Sequence, residues 1–300
     1  MVAATLLWGA TFVLARDVLR TVGPIELVCT RFAAATVVFA LVLLARRLAR
    51  SPGSPGTATA FAGGAVPRVL DSSVAAAFAG GAVSGVLGAG GYGFQAIGLT
   101  HTSAGSSAFL TCVGTVLAAL FAWPLLGQRP GRALVFGMAL ALAGSLLLSS
   151  RLGLRVGVGE LWTLAGAAVY ALQIVAVARW APRADALLLT GVQTGVVALT
   201  LLPFAGRAPA QLAALDGAGV WRLAYLALAG SVIAPLLQVI AQRTLSAGRV
   251  ALLFALEPVF GLLFALTLGG ERYAPSWWLG ALLIFCGVLR AEWPGRAGPP

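Results

Sequence analysis

From Ser246 to Gly269 the chain reads SAGRVALLFALEPVFGLLFALTLG. At a rise of about 1.5 Å per residue, about 20 such residues span the ~30 Å hydrocarbon core of a bilayer. A segment in hydrocarbon must satisfy its own backbone, which restricts it to a helix or a closed barrel. Near the middle of this stretch stand Glu257 and Pro258. A carboxylate at that depth costs about 2.5–3.5 kcal/mol on insertion scales. A proline removes a backbone donor and disturbs the carbonyl one turn earlier. Two costly residues side by side need a reason. One is a polar site facing an internal cavity. The other is a structural kink, with Glu257 protonated or capping the backbone groups that Pro258 frees. The sequence admits both, and they are compatible.

The rest of the chain has the same character. It is 60% hydrophobic and only 10% charged over 300 residues, against about 25% charged in a soluble domain. Long continuous apolar runs, not short alternating ones, point away from a β-barrel and to an all-α membrane protein. The net charge is +11, and every basic residue is an arginine. These arginines stand singly or in pairs between apolar runs. That pattern fits topology signals and headgroup anchors, so no nucleic-acid partner is expected. Cys29, Cys112 and Cys286 lie alone inside apolar runs, which argues against a disulfide framework or a metal site. The first residues lack the basic stretch of a cleavable signal peptide.

Ten apolar segments are expected, at roughly 2–19, 23–45, 72–99, 103–126, 131–150, 158–181, 184–205, 219–242, 246–269 and 275–293. Most connections are short, so neighbours should pair as antiparallel hairpins. Ala49 to Asp71, rich in Pro, Gly and Ser, reads as a long flexible loop. Ten crossings put both termini on one side. With that side cytoplasmic, the inner loops and tail hold twelve arginines and the outer loops seven, Arg31 being set aside inside the second segment. The excess favours cytoplasmic termini in a bacterial-type inner membrane.

Sliding the chain by 143 residues lays Ser103-Ala104-Gly105 on Ser246-Ala247-Gly248 and Leu120-Phe121-Ala122 on Leu263-Phe264-Ala265. Gly137 and Gly144 fall on Gly280 and Gly287, and Gln95 falls on Gln238. This reads as a duplication: residues 1–150 form one five-helix unit, 151–293 a second, and 294–300 a tail. Five is odd, so the second unit enters the membrane from the opposite face and the halves are inverted. Secondary transporters often use that arrangement, with substrate at the midplane between the repeats. Glu257-Pro258 fall on Gly114-Thr115, so the carboxylate belongs to one half only.

Several stretches resemble the EamA family of the drug/metabolite transporter superfamily: Leu7-Trp8-Gly9-Ala10-Thr11-Phe12 in the first segment, Arg31-Phe32 in the second, LLGQRPGRALVFGMALALAG across the fourth and fifth, and LEPVFGLLFALTLGGERY in the ninth. Size and organisation are also similar to YddG-type exporters of aromatic amino acids. The resemblance implies two inverted repeats of five transmembrane helices. It also implies export of amino acids, aromatic ones first, and related metabolites by alternating access. Drugs or other metabolites of the same superfamily are the runner-up cargo. One departure is Gly114-Thr115, where first repeats often keep a proline.

Polar and aromatic residues recur at helical spacing, and they are the candidate cavity: Trp8 and Phe12; Tyr92 and Gln95; Thr111 and Thr115; Tyr170 and Gln173; Gln238 and Gln242; Phe254, Glu257 and Phe264, with Pro258 as the kink. Uncharged hydrogen-bonding groups mixed with rings suit a partly apolar, zwitterionic or neutral solute. The bland alternative is that Gln and Thr merely bond across helices, at about 0.6–2 kcal/mol each. The fifth and tenth segments should be peripheral packing. Arg31 could hold a substrate carboxylate, but its position reads rather as an anchor that snorkels outward or pairs with Glu26. His101, the single histidine, sits in a loop and is a weak proton-relay candidate; Glu271-Arg272 reads as a boundary feature. No histidine pair, phosphate loop or Ser-His-Asp set is present, so the chain is not expected to be an enzyme. An intramembrane enzyme is the remote alternative. No cofactor is expected, and the partners are a small-molecule substrate and the lipid bilayer around a monomer.

Overall fold

The computed structural model describes residues 1–49, 72–102, 104–149, 157–268 and 275–292. They are helical throughout, with no strand among the described residues. In order, the helices are α1 (Val2–Val18), α2 (Pro24–Ala49), α3 (Ser72–His101), α4 (Ala104–Leu126), α5 (Arg132–Ser149), α6 (Val158–Trp180), α7 (Ala186–Leu201), α8 (Ala208–Ala213), α9 (Gly217–Leu228), α10 (Ala234–Ala241), α11 (Ala247–Phe254), α12 (Glu257–Leu268) and α13 (Pro275–Glu292). Among the described residues, six helical stretches are long and apolar enough to cross a membrane: Pro24–Ala49, Ser72–His101, Ser106–Leu126, Val158–Trp180, Ala186–Phe204 and Gly217–Ala241. Large apolar side chains such as Leu41, Phe78, Phe136, Leu199, Trp221 and Phe285 stand exposed around the outside. That surface suits lipid and would be a liability in water. The expected loop after Ala49, Glu271-Arg272 and the tail at 294–300 lie outside the described residues.

Lipid tails are as apolar as leucine, so helix association here depends on close van der Waals contact. The glycines provide it. The face of α3 that meets α6 and α7 is built from them: a Cβ on Gly81 would lie 2.7 Å from Val192 Cβ, and one on Gly85 2.6 Å from Val196 Cβ. The α5–α13 crossing is tighter still. A Cβ on Gly137 would sit 2.6 Å from the Gly287 carbonyl, and one on Gly287 2.6 Å from the Gly137 carbonyl. Gly144 meets the Gly280 carbonyl in the same manner. Each glycine thus faces the sequence counterpart of its neighbour.

Two apolar segments are not single helices. The stretch from Gly217 runs as α9, widens into a π-turn over Ala229–Ile233, and resumes as α10. Pro235 follows the turn and has no N–H to offer the carbonyl of Ser231. The stretch from Ala247 breaks at Ala255-Leu256, where both N–H groups reach back only three residues, to Leu252 and Leu253. α12 then starts at Glu257, with Pro258 inside its first turn, a position where the missing N–H costs little. A short helix, α8, not foreseen from the sequence, fills the link after α7. Gln211 on it accepts from the Gly23 N–H at 2.8 Å.

Ion pairs sit at helix ends. Arg46, closing α2, holds Asp185, which caps α7, at 2.7 Å. Asp17, closing α1, meets Arg222 of α9 at 3.4 Å and Arg20 at 3.8 Å. The side chain of Gln128, just past α4, accepts from the Ala247 N–H at 3.0 Å and so caps α11 from a distance.

Candidate functional site

Residues of α1, α2, α3, α4, α6, α10, α11 and α12 line a cavity of about 730 Å³, its open mouth included. Its walls are assembled from three groups.

The first group is aromatic. Trp8 of α1 stacks against Phe254, the last residue of α11, with ring centroids 5.0 Å apart. The Trp8 indole donates to the Gly230 carbonyl at 2.9 Å, inside the π-turn. Tyr92 of α3 meets Tyr170 of α6 edge to face at 5.0 Å and Phe32 of α2 at 4.7 Å. Tyr170 fits because Gly91 lacks a side chain: a Cβ there would lie 2.8 Å from the ring.

The second group is made of amides. Gln95 of α3 donates to Thr111 of α4 at 3.2 Å and accepts from the Tyr170 hydroxyl at 3.2 Å. Thr111 donates to the Ser107 carbonyl at 2.8 Å. Gln238 of α10 donates to Gln173 of α6 at 3.2 Å and to Gln242 at 3.0 Å. These are the two glutamines that the 143-residue offset superposes, and both line the cavity.

The third group is ionisable. Glu257 is buried on the cavity wall and has no hydrogen bond or ion pair among the described residues. Gly9 of α1 lets that helix press on the first turn of α12; a Cβ on Gly9 would lie 2.7 Å from Phe260 Cβ and 3.1 Å from the Glu257 carbonyl. Arg31 overturns the expectation of a snorkelling anchor. It is 6% exposed, and no ion pair with Glu26 forms among the described residues. Its Nε donates to Ser231 Oγ at 2.9 Å, and Ser231 donates to the Leu226 carbonyl at 3.0 Å. The guanidinium lies over Tyr92 at 4.9 Å and Phe32 at 5.1 Å. Its hydroxyl acceptor, Ser231, stands within the π-turn.

Of the residues singled out from sequence, Trp8, Phe12, Tyr92, Gln95, Thr111, Thr115, Tyr170, Gln173, Gln238, Phe254, Glu257 and Pro258 line this cavity. Gln242 does not: it is 1% exposed, and its amide donates to the Ile174 carbonyl at 2.8 Å, so it braces Gln238 from behind. Phe264 does not either. It packs against the cluster of Leu14, Val18 and Leu226. Arg31, Thr11, Cys112 and Gly114 line the cavity and were not on the sequence-derived set. His101 is the last residue of α3, exposed and away from the cavity.

A second hollow shares Thr11, Phe12, Arg31, Tyr92 and Gln95 with the first and runs past Ala15 and Ala96 to Leu19, Leu27 and Leu99. Leu19 follows the end of α1, Leu27 is in the first turn of α2, and Leu99 is in the last turn of α3. The path therefore leads from mid-helix to one end of the bundle, and Arg31 stands at the junction.

A polytopic helical membrane protein with a central cavity of mixed aromatic and polar lining belongs to the architecture of solute carriers. Residues 1–150 and 157–291 match the EamA-like transporter family, and the chain is a member of it. An uncharacterized transporter of Archaeoglobus fulgidus is 26% identical over 199 residues, 66% of this chain and 64% of that protein. The chain thus spans less than two thirds of that relative's length. A solved crystal structure superposes with a TM-score of 0.71 at 22% identity, over 98% of this chain and 96% of the other; this likeness is one of fold.

Proposed function

We propose that the protein is a secondary transporter that exports amino acids, aromatic ones first, and related small metabolites. It would work as a monomer in the inner membrane by alternating access. The observation that carries the reading is the cavity, whose walls combine aromatic faces, amides, a carboxyl group and a guanidinium. A ring-bearing zwitterion matches each of these groups.

Ten crossings in two inverted five-helix repeats would put the cavity between the halves. The reciprocal crossing of Gly137 with Gly287 and Gly144 with Gly280 supports that symmetry, since a two-fold relation carries each pair into the other. Rocking of the halves would open the cavity alternately to each side. The hollow reaching Leu19, Leu27 and Leu99 is then the open side.

The test is saturable flux of labelled amino acids in proteoliposomes of the purified protein. Counterflow by unlabelled phenylalanine or tryptophan is expected. Saturable flux of other metabolites or drugs, with none of amino acids, would shift the cargo within the same superfamily. Chemical change of the solute would point to catalysis. Orientation is tested separately. Single cysteines introduced at Pro55 and at the C-terminus should resist impermeant reagents in intact cells, consistent with both termini inside.

A further inference from the structure

Arg31 is a buried cation with no counter-ion among the described residues. Its Nε is satisfied by Ser231, and its Cζ lies about 5 Å from the Phe32 and Tyr92 ring centroids. Among the described residues neither terminal nitrogen has a hydrogen-bond acceptor, and no carboxylate lies within ion-pairing distance. Glu257 lines the same cavity yet does not pair with it. An unpaired guanidinium at this depth is costly, and such a group normally pairs or faces a water-filled path. Here it faces the cavity and the hollow that leads out of it.

The arrangement is preorganised. The hydroxyl of Ser231 holds one edge of the fork, and the two rings pack against the guanidinium. What remains is the terminal edge, whose parallel donors match the two oxygens of a carboxylate. Tyr92 stands beside it, so an aromatic side chain attached to that carboxylate would find a ring within reach. We propose that Arg31 is the carboxylate-recognition element of the cavity, so that the solute must carry an anionic carboxylate. Ser231 is its positioning residue. The inference rests on the carrier reading above and adds to it the chemical group that is recognised.

The experiment uses the full-length protein in proteoliposomes and three matched probes: L-phenylalanine, 3-phenylpropionate, which lacks the amine, and phenethylamine, which lacks the carboxylate. Saturable flux or competition is expected from the first two and not from the third. Arg31→Gln should weaken phenylalanine competition by on the order of ten- to a hundred-fold, as expected for loss of a bond to a charged group, with Arg31→Lys intermediate. Ser231→Ala should raise the phenylalanine KM a few-fold without changing maximal flux, and Ser231→Thr should restore it. Elution profile and melting temperature establish that each variant is folded. Should Arg31→Gln fail to fold, the phenethylamine comparison on wild-type protein decides the matter. Phenethylamine moving as well as phenylalanine, or folded Arg31→Gln keeping the wild-type preference, overturns the assignment and leaves the carrier reading intact. Flux of none of the three overturns the amino-acid reading and the assignment with it.

Discussion

The helix α4 and the pair α11–α12 are sequence counterparts, yet they are built differently. α4 runs unbroken from Ala104 to Leu126 through Gly114-Thr115. Its counterpart stops at Phe254 and restarts at Glu257-Pro258. The same contrast separates α3, a continuous helix of 30 residues, from α9 and α10, which are parted by the π-turn at Ala229–Ile233. At the 143-residue offset, Pro235 falls on Tyr92 and Ser231 on Gly88. In the first half those positions hold a cavity ring and a packing glycine. In the second they loosen the helix and expose the groups that Trp8 and Arg31 bind. The difference teaches that counterpart segments can divide their tasks. α3 and α4 supply continuous walls, while α9–α12 supply freed backbone and a carboxyl group.

The largest expected effect comes from the residue that the first half lacks. Replacing Glu257 by Gln should lower pH-gradient-driven uptake and exchange together. The apparent affinity for an amino acid should weaken by on the order of ten- to a hundred-fold, if the carboxylate holds the ammonium group. Intact exchange with gradient-driven flux alone abolished would mean proton coupling instead. Wild-type behaviour in both assays would leave Glu257 a backbone role only, since an amide can bond similarly.

Proline placement should then separate α4 from α11–α12 by stability. Thr115→Pro inserts a break into the continuous α4 and should cost about 3 kcal/mol or more. Pro258→Ala sits where the ladder is already broken and should cost less than about 1 kcal/mol. Thermal unfolding in detergent measures both, and equal losses would erase the distinction drawn here.

The glutamine counterparts sharpen the comparison further. Each bonds two partners, but Gln238 is 3% exposed, whereas Gln95 is only partly buried. Gln238→Leu should destabilise by about 1–2 kcal/mol and Gln95→Leu by about 0.6 kcal/mol. A reversed order would show that the first half carries the more important network.

The smallest effect is expected at the helix ends. Arg46→Ala should cost about 0.2–1 kcal/mol, because its partner is partly exposed. Burial pushes the Asp185 carboxyl up, but the Leu188 N–H and Arg46 outweigh it and hold it below its usual range. Its contribution is therefore present above the ordinary carboxylate range and lost as pH falls through the lowered value. An acid melting series should show wild type and Arg46→Ala converging there.

Much of this was legible in the residues. Continuous apolar runs require helices in hydrocarbon, whatever the packing. The repeat placed Gln95 with Gln238, and Glu257-Pro258 marked where a helix must break. The direction of a side chain was another matter. In water, a polar face and an apolar face tell a helix which way to turn. In lipid both faces are apolar, so the sequence does not say which face looks inward. Arg31 read as an anchor because nothing local showed that Ser231, 200 residues away, offers it an acceptor. Gln242 and Phe264 shared the spacing of cavity residues, yet contacts with Ile174 and with the Leu14 cluster took them out of it. Composition and period determined that this chain makes apolar helices and where they weaken. Tertiary packing decided which polar groups share a cavity, because only there do hydrogen-bond partners from distant helices come within 3 Å.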